Sequence, residues 1–249
     1  MCTEKINFCI FSDLHCVHNS SIPKELANNI RLRMEQDNIE FVINLGDFIG
    51  AVEEKNGALE ILKDVTEIFA ELPLEKHFIA GNHDLDFMTK DEFSKAVSSK
   101  EKKHYYSFDH GTLHFIVLDM NYHPNGTSFA NGDFEWFNAF LPDEELLWLK
   151  NNLKENMNRP TFIFTHQNLD DRKKGQKNDP EIIANAGEVR NILESAGNII
   201  AVFQGHGHRS NKKCINGIEY ISIESSLEKP ALTVVNCAPD GHIEQLIQQ

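Results

Sequence analysis

Long apolar runs are missing from this chain. None approaches the roughly 20 consecutive apolar residues that a bilayer-spanning helix needs, which excludes a helical membrane-protein reading. The first dozen residues hold no basic segment followed by an apolar core and a small-residue cleavage site, so no secretory leader is expected. Cysteine is scarce: Cys2, Cys9, Cys16, Cys214 and Cys237 form an odd set, mostly in or beside apolar runs. That pattern suits reduced, packed thiols better than a disulfide framework, and the expected location is cytoplasmic. Positive charge is also in short supply, with 24 Lys and Arg against 38 Asp and Glu and a formal net charge of -14. Long nucleic acids bind chiefly through neutralised phosphates, so a polyanion partner is not expected. A small phosphorylated substrate is penalised less, because salt screens distant carboxylates over roughly 10 Å. Internal repeats and low-complexity segments are absent too, which excludes a solenoid.

What the chain does contain is a set of short polar blocks, each placed after an apolar run. They are Asp13-Leu14-His15, Gly46-Asp47, Gly81-Asn82-His83-Asp84, Thr165-His166 and Gly205-His206-Gly207-His208. The runs before them read as strands, so each block falls just past a strand's C-terminal end, where the loops of α/β sheets converge on one crevice. Carboxylate, amide oxygen and imidazole together suit borderline cations such as Mn, Fe and Zn, whereas oxygen-only cages suit Mg or Ca. A metal pair roughly 3.5–4 Å apart acidifies a water and clamps both oxygens of an in-line displacement. Phosphoester hydrolysis is the reaction this donor set points to.

The ordered blocks DxH, GD, GNHD, H and GHxH resemble the calcineurin-like metallophosphoesterase superfamily, from Ile6 to the region of Val235. The resemblance implies that Asp13, His15 and His208 hold one metal, that Asn82, His166 and His206 hold the other, and that Asp47 bridges them. It also implies a metal-bridging hydroxide as nucleophile, His83 as leaving-group acid or transition-state stabiliser, and Asp84 as the residue orienting the His83 ring. Within the superfamily, the stretch from Phe115 to Asn121 and the Glu144 to Leu149 segment look like the class III cyclic-nucleotide and glycerophosphodiester phosphodiesterases. They are similar also to manganese-dependent ADP-ribose/CDP-alcohol diphosphatases. Those diphosphatases usually carry Gln where this chain has His15, which favours the broader phosphodiesterase reading. Phosphomonoesterase and diphosphatase activities stay open beside it. Two rivals are a non-catalytic protein-binding scaffold and a nuclease, the latter wanting a basic groove that this acidic chain does not offer.

The expected fold is a mixed α/β domain over residues 1–249, a four-layer αββα sandwich of two mixed sheets flanked by helices. Strands are predicted at 6–12, 40–45, 76–80, 161–165 and 199–204. Helices are predicted at 23–37, 57–71, 91–97, 143–156 and 185–196, with a hairpin at 104–119 and a closing meander at 212–247 turning at Asn216-Gly217. Residues 121–143 are rich in aromatics and read as a possible cap, with Asn121 and Tyr122 as substrate contacts. The aromatics Trp136, Phe137 and Phe140 read instead as a packed helical face. The basic residues Arg172, Lys173, Lys174 and Lys177 read as a solvated loop or as contacts to a distal phosphate, while His18 and His123 lie near the predicted site loops. Oligomeric state is not legible.

Overall fold

The computed structural model describes residues 5–50, 52, 54–132, 138–170 and 181–248. Chain order runs β1 (Ile6–Phe11), α1 (Ile22–Asp37), β2 (Phe41–Asn44), α2 (Lys55–Ala70), β3 (Glu75–Phe78), α3 (Lys90–Ala96), β4 (Tyr106–His110) and β5 (Leu113–Val117). It continues with α4 (Asp143–Glu155), β6 (Thr161–Thr165), α5 (Ala186–Ala196), β7 (Ile199–Gln204), β8 (Asn211–Ile215), β9 (Ile218–Ser222), β10 (Thr233–Cys237) and β11 (Ile243–Gln248). One sheet has the order β11-β10-β1-β2-β3 and the other β4-β5-β6-β7-β9-β8. In the first, β1, β2 and β3 are parallel. In the second, β5, β6, β7 and β9 are parallel.

Strand alternation explains the layers. Successive side chains point to opposite faces of a strand, and these strands are covered on both faces, so their sequences read as unbroken apolar runs. Phe8 and Ile10 of β1 meet Phe115, Phe162, Phe164 and Phe203 of the second sheet in a core between the sheets. Cys9 and Phe11 point the other way, onto Leu26, Ile30, Leu62 and Phe69 of α1 and α2. Ile116, Ile163 and Val202 pack outward on Leu146, Leu149, Val189 and Leu193 of α4 and α5. The result is the four-layer αββα arrangement expected from the sequence. Among the described residues no helix is long and apolar enough to cross a membrane.

The closing meander needs correction. Its first hairpin, β8 and β9, joins the second sheet beside β7, while β10 and β11 return to the first sheet, where β10 runs antiparallel to β1. Hydrophobic periodicity marks strands but carries no record of which sheet they extend.

Part of the 121–143 segment is described, and there its aromatics pack inward. Phe129 is fully buried among Leu85, Leu118 and Leu141, and His123 packs edge-on against its ring at 4.8 Å. The Phe134, Trp136 and Phe137 readings lie outside the described residues, as do Arg172, Lys173, Lys174 and Lys177.

Candidate metal centre

Parallel strands β1, β2, β6 and β7 all end at the same edge of the sandwich, and the loops leaving them deliver the polar blocks there. Asp13, His15, Asp47 and His208 form one cluster whose ligand-type atoms all lie within 4.8 Å of one another, and Asp47, His166 and His206 form a second within the same limit. His15 Nε2 lies 3.0 Å from His208 Nε2 and 3.6 Å from Asp47 Oδ2. His208 Nε2 lies 3.5 Å from Asp13 Oδ1. Across the shared carboxylate, His166 Nε2 lies 3.3 Å from Asp47 Oδ2 and 3.1 Å from the Asn82 side-chain oxygen. All seven residues singled out as ligands therefore meet at one place.

The backbone is bent to achieve this. Asp13, His15, Asp47, His206 and His208 all have positive φ, between 43° and 63°. Left-handed backbone costs a non-glycine residue roughly 1–2 kcal/mol, and such strain gathers where function fixes a side chain. Two glycines are set by close approach. A Cβ on Gly81 would stand 2.1 Å from Asp47 Oδ1, and one on Gly46, whose φ is +110°, would stand 2.6 Å from His166 Nδ1.

Hydrogen bonds settle the chemistry of the donors. His166 Nδ1 lies 2.8 Å from the Leu45 carbonyl oxygen. A carbonyl only accepts, so Nδ1 donates there and Nε2 is the ring nitrogen turned toward Asp47 and Asn82. Burial opposes charge on His166, yet Asp47 and Asp13 raise its pKa to about 9. Burial and the neighbouring His166 push His206 down to about 3, so its imidazole is neutral. Burial also opposes charge on Asp47, but His166, His15 and His83 outweigh it and hold the carboxylate ionised. Asp47 Oδ1 accepts the His83 backbone N–H at 2.9 Å, whereas its Oδ2 is buried without a hydrogen-bond donor. A buried carboxylate oxygen left in that state, beside the ring nitrogens of His166 and His206, fits a cation. The residues present thus fit two metal ions that share Asp47.

Around the cluster, the residues flanking His83 depart from expectation. Asp84 does not orient the His83 ring. It is fully buried and turned inward, accepting backbone N–H groups from Asp47 at 2.9 Å, Phe48 at 2.8 Å, Ile49 at 3.2 Å and Gly81 at 2.9 Å. Burial and the nearby Asp47 raise its pKa to about 7. The ring partner is Asp86, whose Oδ2 lies 3.0 Å from His83 Nδ1. His83–Leu85 forms a 3-10 turn, which eclipses residues three apart, so the spacing Asp86 minus His83 was the available signal.

Asn121 and Tyr122, the two expected substrate contacts, have partners within the protein. Asn121 is buried, donating from Nδ2 to the Ala80 carbonyl at 2.7 Å and accepting from Gln167 at 2.6 Å. Its amide is spent tying the loop before Asn82 to the loop after His166. Tyr122 lays its ring over the Lys90 ammonium at 3.3 Å, and Lys90 is itself buried against Asp119 at 2.5 Å. His18 is exposed and lines neither cavity at the cluster. A separate cavity of about 1020 Å³ beside edge strand β3 includes none of the seven donors.

Comparison with known proteins gives the family. The calcineurin-like phosphoesterase family model matches residues 6–210, and the chain belongs to that family. It is 21% identical over 232 residues to a manganese-dependent ADP-ribose/CDP-alcohol diphosphatase of Arabidopsis thaliana, covering 79% of this chain and 74% of the relative. A protein of the same description from Oryza sativa subsp. japonica is 24% identical over 246 residues, covering 84% and 74%. Among solved structures, a dimetal phosphatase from Danio rerio superposes with a TM-score of 0.72 at 15% identity, covering 98% of each chain. An anchor protein of the inner membrane complex of Plasmodium shares the fold at a TM-score of 0.61 and 10% identity, covering 98% of this chain and 88% of that one. The protein is a metal-dependent phosphoester hydrolase.

Proposed function

We propose that this enzyme is a binuclear phosphodiesterase acting on small diesters. One ion would be held by Asp13, His15 and His208, the other by Asn82, His166 and His206, with Asp47 between them. The observation that carries this reading is the pair of donor clusters joined at Asp47, whose Oδ2 has no hydrogen-bond donor of its own. Manganese is the favoured ion, as in the names of the plant relatives. When bound, such a pair supplies an acidified water and the positive charge that a phosphate requires.

The chain's own residues do the rest. In hydrolysis a P–O bond to water forms while the P–O bond to the alcohol breaks, and the departing oxygen takes a proton from His83. The Asp86 carboxylate can only accept, so it fixes the hydrogen on His83 Nδ1 and turns Nε2 toward the departing oxygen. The bond from Asp86 raises the His83 pKa against the opposing effect of burial, with Asp47 adding to the rise. That keeps the proton available near neutral pH, where general acids work best. Free thiols at Cys9, Cys16, Cys214 and Cys237 support a cytoplasmic setting.

A second reading, hydrolysis of a nucleotide-type diphosphate, is favoured by the names of the plant relatives. The test is turnover of bis-p-nitrophenyl phosphate beside p-nitrophenyl phosphate by protein reconstituted with Mn, with Asp47→Asn as control. Preference for the diester, lost together with bound metal in the control, is expected. A preference for the monoester overturns the diesterase reading. Inactivity on both, and on ADP-ribose, points to a scaffold.

A further inference from the structure

Two cavities open from the metal cluster, and their walls differ in character. One, of about 750 Å³, is lined by Asp47, Asn82 and His206 and then by Glu181, Arg209, Ser210 and Asn211. The other, of about 820 Å³, is lined by His15 and Asp86 and then by Val17, Val52, Phe87 and Leu227. His83 and His208 line both, so the cavities meet at the His83–His208 edge of the donor cluster. Both volumes lie in the range that holds small ligands.

The apolar wall is built rather than incidental. Among the described residues the exposed large hydrophobics are Val17, Leu32, Leu147, Met157 and Leu227, and two of these, Val17 at 52% and Leu227 at 43% exposure, flank this one cavity. Single exposed apolar residues need no explanation, but a pair facing one groove beside a reactive centre does. Their backbones are also fixed to the ligand loops. Ser225 donates from Oγ to the Asp13 carbonyl at 2.9 Å and receives the Leu227 N–H at 3.1 Å. The Ser226 N–H bonds the Ser12 carbonyl at 2.9 Å. On the other side, Cys16 N–H bonds the Phe48 carbonyl at 2.8 Å and the Gly50 N–H bonds the Cys16 carbonyl at 2.9 Å, which holds Val17 one residue beyond that tie. The wall therefore keeps its distance from His15 and His208, as a preorganised subsite must.

A phosphomonoester has one arm and leaves one cavity empty. We propose that the Val17–Val52–Phe87–Leu227 cavity seats an apolar alcohol arm, so that the enzyme selects phosphodiesters carrying one apolar and one polar alcohol. The polar arm occupies the Arg209–Ser210–Asn211 side. This inference rests on the phosphodiesterase reading and names its substrate class.

The experiment uses Mn-loaded enzyme and a series of glycerophospho-n-alkanols with methyl, butyl, hexyl and octyl arms, the glycerol arm held constant, with products followed by phosphorus NMR. A buried methylene is worth about 0.8 kcal/mol, close to fourfold, and a groove open on one side removes about half its surface from water. kcat/KM is expected to rise about twofold per added methylene. Calorimetric Kd values for the same esters with slow His83→Gln protein should follow the same slope. Val17→Asn and Leu227→Asn should flatten the slope, while Leu227→Met preserves it. Both sites are exposed, and thermal melts confirm that the variants fold. Hydrolysis of every ester with no dependence on chain length overturns this inference alone, as does an unchanged slope in both Asn variants. No hydrolysis of any ester overturns the phosphodiesterase reading and the inference with it.

Discussion

Replacing Asp84 by Asn separates two roles that sequence motifs merge. The Asp84 carboxylate accepts four backbone N–H groups, two on each oxygen, from the loop that carries Asp47 and from Gly81. In Asn one oxygen becomes an NH2 group, so two buried N–H donors face a donor instead of an acceptor. Each unsatisfied buried group costs about 1–3 kcal/mol, so the two together cost about 4 kcal/mol when each is taken at the middle of that range. For a chain of this size 1 kcal/mol moves Tm by about 2–4 °C, which gives a fall of roughly 8–16 °C. Metal occupancy should fall too, because the same N–H groups position Asp47. Asp86→Asn is the contrasting change: it sits on the rim, and only its contact with the His83 ring is weakened. Its Tm should move by less than about 2 °C, in line with surface substitutions, while turnover of a diester drops. Differential scanning fluorimetry, metal analysis and steady-state rates on both variants decide the matter. An Asp84→Asn protein with wild-type Tm and metal content but slow turnover would refute the scaffold role assigned to Asp84.

His83→Ala should lower turnover by roughly 10²–10⁴-fold with two metals retained, since general acids typically contribute that much; metal analysis beside kinetics checks it, and unchanged turnover removes His83 from the reaction. Asn121→Leu leaves the Ala80 carbonyl and the Gln167 amide without their partner, so stability should fall by about 1–3 kcal/mol and occupancy of the Asn82–His166 metal should weaken first. Urea unfolding and metal titration read both effects, and full occupancy in a destabilised variant would confine Asn121 to packing. Burial pushes Cys9, Cys16 and Cys237 from the ordinary thiol value of 9.0 up to about 12. A raised folded pKa means the neutral thiol is favoured by folding: that stabilisation is complete below 9 and is lost as pH climbs toward 12. Native protein at pH 8 should therefore react with a thiol reagent at exposed Cys214 but not at these three until it unfolds, which peptide mapping reads directly.

Much of this protein was legible in one dimension. The apolar runs around Phe8, Phe41, Phe162 and Phe203 marked strands covered on both faces, and the donors stood just past strand ends, where the geometry of parallel sheets brings loops together. The order of the polar blocks carried a family resemblance, and that resemblance pointed to Asp13, His15, Asp47, Asn82, His166, His206 and His208 as donors. Tertiary structure decided what those donors lean on. Asp84 and Asp86 are both carboxylates beside His83, and only the 3-10 turn determines that one faces backbone amides and the other the imidazole. Asn121 reads in sequence as a polar residue near the site, yet its partners at Ala80 and Gln167 are 41 and 46 residues away along the chain, a distance that no local pattern records. The same limit hid the split of the C-terminal strands between two sheets and the apolar groove of Val17 and Leu227. Local physics fixes the period of an element and the chemistry of a side chain, whereas partner choice is set by packing between segments that sequence proximity does not connect.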